Sequence, residues 1–156
     1  RNVVRMLLKT LAYEHQDDLL PAKWEIEHIF PQKWQTNYFP DEPDATIKEK
    51  IEHIGNKLPF EKKLNIVAGN GYFGKKKKEY IASKIVITKA MGTSDVMDWN
   101  LESITKRDIR VSDEVVKIMN RWNNEYLNIP ISEGKMGEPS EEELAQIEKF
   151  KKNGWI

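Results

Sequence analysis

Cysteine is missing from all 156 residues, which excludes disulfides and metals held by thiolates. No apolar run is long enough to span a membrane, and nothing at the start reads as a signal peptide. A cytoplasmic protein is therefore expected. An initiator methionine is missing too: the chain opens on Arg1, so a piece of a larger protein is expected. Net charge is absent, because 25 Lys and Arg balance 25 Asp and Glu. A non-specific nucleic-acid binder usually carries a basic excess, so this balance argues weakly against one. The length suits one domain with a modest core. We see no internal repeats.

The even balance hides a local asymmetry. From Lys57 to Lys89 there are nine lysines against Glu61 and Glu79, a balance of +7. From Glu133 to Glu148 there are six glutamates against Lys135, a balance of −5. A phosphate backbone would favour the first region. Lys75 to Lys78 is either part of such a surface or simply the solvated start of a helix.

Trp24 to Ile29 alternates apolar and polar residues, which predicts a short strand anchored by Trp24, Ile26 and Ile29. Pro31 stops it, because proline cannot donate to a ladder. Glu27 and His28 therefore sit where a rigid element meets a loop. An acid and an imidazole so placed can serve as metal ligand and general base, or they are a surface pair at a strand end. Gly55-Asn56 is turn chemistry before a second short strand from Lys57 to Phe60, with Pro59 marking an edge. A short helix from Glu61 to Val67 carries Asn65, nine residues after Asn56.

The run Glu27-His28-Ile29-Phe30-Pro31-Gln32, the pair Gly55-Asn56, and Leu64-Asn65 together resemble the His-Me finger, or HNH, nuclease motif. They are most similar to the C-terminal HNH domain of GmrSD-type, type IV modification-dependent restriction enzymes. Phe73, the lysine-rich run and Tyr80 continue that likeness. The core of the resemblance covers residues 24–90, and a weaker one runs on through Trp99, Ile104, Arg107 and Trp122.

The resemblance implies an α+β, mostly α fold with a ββα-metal core inside a helical domain. It implies a metal-dependent endonuclease cutting phage DNA in the bacterial cytoplasm. A separate N-terminal nucleotide-binding, modification-sensing domain would be its partner. His28 would be the general base, since an imidazole titrates near neutrality. Asn56 would act by hydrogen bonding, holding the loop or orienting His28. Glu27 and Asn65 would present oxygens to a single hard ion, magnesium or manganese, leaving positions open for water and phosphate. Lys57, Lys62 and Lys63, then Lys75, Lys76, Lys77 and Lys78, would contact the DNA backbone. His53 and Arg107 are accessory candidates, with Arg107 either pairing structurally or touching DNA. Two departures stand out. Lys57-Leu58-Pro59-Phe60 replaces the usual Leu-Thr-Leu-Leu, and Glu27 replaces the Asp common in other HNH enzymes. Two rivals remain: a non-catalytic DNA-binding or regulatory module on a decayed nuclease fold, and an RNase or toxin-type nuclease.

Elsewhere, Val4, Leu7, Leu8 and Leu11 predict an amphipathic helix over 2–14. Residues 31–46 read as a loop that packs through Trp34, Tyr38 and Phe39, followed by a short helix over 46–53. One long helix is expected over 75–91, with Ile81, Ile85 and Thr88 inward and Gly92 ending it. Asp98 or Asn100 would cap a helix over 101–108, and Ser112 another over 113–124. After a Pro/Gly-rich connector, Ser140 and Glu143 form a capping box for a last helix to about Lys152.

Overall fold

Two five-residue strands hold the site. β1 (Trp24–His28) and β2 (Lys57–Glu61) pair antiparallel, with Ile26 opposite Pro59 and His28 opposite Lys57. The computed structural model describes residues 2–35 and 43–127. Six α-helices surround the strands among the described residues. They are α1 (Asn2–Glu14), α2 (Asp44–Ile51), α3 (Lys62–Ala68), α4 (Phe73–Ile81), α5 (Val86–Thr93) and α6 (Leu101–Leu127). The fold is α+β and mostly helical, as the sequence predicts. None of these helices is long and apolar enough to cross a membrane.

The chain divides into two compact units, Arg1–Met119 and Asn120–Ile156. In the second, Arg121 and Glu125 pair along the helix at 3.9 Å. The expected helix from Ser140, its connector, and Tyr38 and Phe39 lie outside the described residues.

Within the first unit, α1 forms where expected and buries Leu8, Leu11 and Ala12. Arg5 fastens it to β1: its guanidinium stacks 3.7 Å from the Trp24 ring centre and donates to the Trp24 carbonyl at 2.9 Å. The main core gathers Ile29, Phe30, Leu58, Phe60, Trp99 and Ile104. Trp34 packs against it, tilted toward Phe30.

Besides α2, which sits two residues earlier than the helix expected over 46–53, two helical boundaries differ from expectation. The helix predicted over 75–91 breaks into α4 and α5, although no proline or glycine interrupts 75–91. The cause is Glu61 at the end of β2. One of its carboxylate oxygens accepts from the Ser83 hydroxyl at 2.8 Å and the other from the Lys84 amide at 2.6 Å. That carboxylate stabilises a turn where local propensity favours helix. Ile81 is consequently exposed, whereas Ile85 and Thr88 are buried. Gly92 does not end α5 but lies inside it. There it lets the helices approach, since a Cβ would sit 2.6 Å from the Ile81 nitrogen.

The second difference is that 101–124 is one helix, not two. Asn100 caps it, accepting from the Ser103 amide at 2.9 Å. Ser112 lies mid-helix instead of capping. Ile104, Val111 and Ile118 recur at seven-residue intervals and are all buried, so one apolar stripe carries the helix past Ser112.

Gly55 sits under that helix. A Cβ on it would lie 2.2 Å from the Ile104 carbonyl oxygen and 2.7 Å from an Asp108 carboxylate oxygen. Gly55→Ala should therefore push α6 away and cost about 1–3 kcal/mol. Urea unfolding should show a lower midpoint at unchanged slope; an unmoved midpoint would mean that α6 does not press on this turn.

Candidate active site

His28 ends β1 beside a cavity of about 510 Å³, lined also by Val4, Ile26, Gln32, Glu52 and Lys57. Cross-strand pairing places Lys57 opposite His28. Lys57 is 5 % exposed; its ammonium donates to the Glu52 carboxylate at 2.9 Å and reaches the Ile51 carbonyl at 3.4 Å. The other Glu52 oxygen lies 3.3 Å from His28 Nε2 and 3.3 Å from Gln32 Nε2. Burial, then the charge of Lys57, holds the His28 imidazole below its usual 6.5. Partial burial pushes the Glu52 carboxyl up, but the hydrogen bond and charge of Lys57, then His28 and Gln32, bring it to about 2. At neutral pH the cavity therefore holds a neutral imidazole, with the Glu52 carboxylate between it and the Lys57 ammonium.

Neighbouring strand residues point to opposite faces, so Glu27 turns away from this cavity. It is 4 % exposed, whereas Ile26, one of the expected anchors, is only half-buried. The Lys76 ammonium meets one Glu27 oxygen at 2.7 Å, and the Tyr80 hydroxyl donates to the same oxygen at 2.8 Å. Burial, then the Glu27 charge, pushes the Tyr80 phenol far up, so it stays a donor at any working pH. Lys76 also donates to the His28 carbonyl at 2.5 Å. The pair thus anchors the strand end that carries the imidazole.

The metal expected on Glu27 and Asn65 finds no ready seat in this arrangement. A divalent cation at Glu27 would meet a fixed ammonium on the same oxygen, and like charges that close repel strongly. Asn65 is half-buried on α3, where its backbone carbonyl accepts from the Gly69 amide. No group of three or more His, Asp or Glu side chains placed to hold a metal occurs among the described residues.

Asn56 is completely buried in the 3₁₀ turn Ile54–Asn56. Its side-chain oxygen accepts from the Phe30 amide at 2.7 Å and the Trp99 indole at 3.2 Å. Its amide donates to the Phe30 carbonyl at 3.1 Å and the Ile51 carbonyl at 3.0 Å. It therefore clamps the chain two residues beyond His28 to the end of α2. Arg107 turns its guanidinium onto the backbone of the Asn56 turn. It is buried and donates to the Gly55 and Lys57 carbonyls, each at 2.8 Å. Burial, then the charge of Arg110, lowers its guanidinium to about 10, so it remains charged. His53 meets Asp108 at 2.6 Å, and Asp108 also accepts from the Gly55 amide at 2.6 Å. Arg107 and Asp108 thus hold the Asn56 turn from α6.

The expected DNA-facing lysines separate. Lys62, Lys63, Lys75 and Lys78 are exposed. Lys76 is a correction: at 1 % exposure it is spent on Glu27 and His28, out of reach of DNA. Lys77 donates to the Ser94 carbonyl, and at 2.8 Å to that of Val96, tying α4 to the end of α5. Sequence reasoning missed Glu52, Tyr80, Trp99 and Asp108 as site residues. Gln32 belongs to the motif run, but the run alone assigns it no role.

Searches of curated proteins and of solved structures return no match. A family model described as GmrSD restriction endonucleases, C-terminal domain, matches residues 1–111, and so takes in both strands, the cavity and the α6 clamp. The chain belongs to the C-terminal domain family of the GmrSD restriction endonucleases.

Proposed function

We propose that this chain is an HNH-type, His-Me finger DNA endonuclease in which His28 is the general base. The observation that carries this reading is His28 on the rim of the cavity, kept neutral by burial and faced by the buried ammonium of Lys57. Phosphodiester hydrolysis needs a base for water and a positive group for the charge developing on phosphate. His28 accepts the proton, and Lys57 faces the phosphate. Asn56 holds the loop after His28, and the Glu27–Lys76 pair holds the strand before it. Lys62, Lys63, Lys75 and Lys78 grip the DNA backbone without reading bases.

Magnesium or manganese is carried by resemblance alone, because Lys76 occupies the expected ligand Glu27. The same holds for a modification-sensing, nucleotide-binding N-terminal partner, for phage DNA as the target and for a cytoplasmic location. The test is conversion of supercoiled plasmid in magnesium, in manganese and in EDTA. Nicked or linear product in any of them supports the endonuclease, and the comparison identifies the cofactor. Intact plasmid in all three, with folded protein, contradicts it.

The pH profile checks the role of His28. Only the neutral imidazole accepts a proton, and its folded pKa is lowered. Activity should thus be level near pH 7 and fall on acidification with a midpoint below 6.5. The same shift contributes stability above pH 6.5 that is lost as pH falls through 6.5 toward the folded value. An acid limb centred at or above 6.5 would contradict the assignment.

A further inference from the structure

Three donors converge on the Glu52 carboxylate. The Lys57 ammonium lies 2.9 Å from one oxygen, and the Gln32 amide and the His28 imidazole each lie 3.3 Å from the other. Two of the donors are fixed. Lys57 is buried and anchored at Ile51, and His28 sits on β1, whose end is tied by Lys76. The acceptor is not fixed in this way: the Glu52 side chain is 58 % exposed and extends from the end of α2 back over the cavity. An ionised carboxylate resembles two non-bridging oxygens of a phosphate in charge, shape and hydrogen bonding. A fixed set of donors around an exposed acidic arm is an anion site closed by its own chain.

We propose that Gln32 and Lys57, beside His28, form the seat for the non-bridging oxygens of a nucleic-acid phosphodiester, and that Glu52 is an internal phosphate mimic that closes it. This rests on the nuclease reading and deepens it. With Glu52 in place, the ammonium and carboxylate cancel and the seat is neutral. With Glu52 swung into solvent, the seat carries the single positive charge of Lys57 against one phosphate charge. Glu52 also favours a proton on His28 Nε2, the nitrogen nearest the seat, which prevents that nitrogen from accepting one from water. Displacing Glu52 therefore opens the seat and frees the base together. The cavity volume suits one phosphate with its flanking sugars. Glu52 stays ionised at any working pH, so the mimic keeps its charge.

The test uses the 156-residue chain with two probes, inorganic phosphate and a short DNA duplex, each followed by the NMR signal of the His28 ring at fixed pH. Duplex affinity is measured without metal. Removing a like charge close to the phosphate should tighten duplex binding by Glu52→Gln about five- to tenfold. The KM for plasmid should fall with it. Lys57→Gln should weaken both probes. The His28 signal should move with inorganic phosphate in Glu52→Gln at concentrations that leave wild type unmoved. Glu52 is exposed, so its variants should fold, and urea unfolding confirms it. Affinity in Glu52→Gln equal to or weaker than wild type would overturn the proposal, as would a His28 signal that neither probe moves. Failure of the nuclease reading would look different: no plasmid cleavage by wild type, whatever the binding data show.

Discussion

Lys76→Met is expected to destabilise the protein severely. The substitution keeps most of the side-chain volume and removes only the ammonium. Glu27 would then be a buried carboxylate with one neutral donor, Tyr80, and the His28 carbonyl would lose a partner. Removing one partner of a buried ion pair typically costs about 3–5 kcal/mol. Domains commonly have only about 5–15 kcal/mol in total, so this is a large share. The companion double variant Glu27→Leu with Lys76→Met should recover much of the loss, because it leaves no charge stranded. Urea unfolding of the two variants beside wild type measures both. If Lys76→Met loses less than about 1 kcal/mol, a typical exposed pair's worth, Lys76 is not the counter-charge of Glu27. Glu27 would then be open to a metal.

This pairing also marks the limit of what the sequence could reveal. Strand β1, its stop at Pro31 and the exit of His28 into a loop follow from alternation and proline chemistry. The strand–turn–strand–helix order follows from Gly55-Asn56 and the short apolar runs around it. The partner of Glu27 does not, because Lys76 lies far along the chain in a run of four identical residues. One signal was present: Phe73, Lys76 and Tyr80 are spaced three and four apart, so the buried stripe of α4 passes through Lys76. The break between α4 and α5 was invisible locally, because the stabilising carboxylate comes from Glu61 on β2. Ser112 looked like a cap, but the seven-residue stripe through Val111 outweighed it. Glu52 carried no pattern at all. Its role depends on the end of α2 meeting the end of β1, which only the tertiary fold specifies.

The largest functional effect is expected at His28. His28→Ala removes the only imidazole that lines the cavity, while the Asn56 clamp and the Glu27–Lys76 pair remain in place. The fold should therefore survive, and the exposed Lys62, Lys63, Lys75 and Lys78, proposed to grip DNA, are untouched. Loss of a general base typically lowers the rate by about 10²–10⁴-fold. The His53–Asp108 pair cannot substitute, because it is committed to the Gly55 turn on α6. The proposed reaction is DNA cleavage with His28 as the base. The most direct measurement is the initial rate of supercoiled plasmid conversion by wild type and His28→Ala, at matched concentration and with matched unfolding curves. Cleavage by wild type and a loss of at least about 10²-fold in the variant are expected. Cleavage by folded His28→Ala at the wild-type rate would contradict that role for His28.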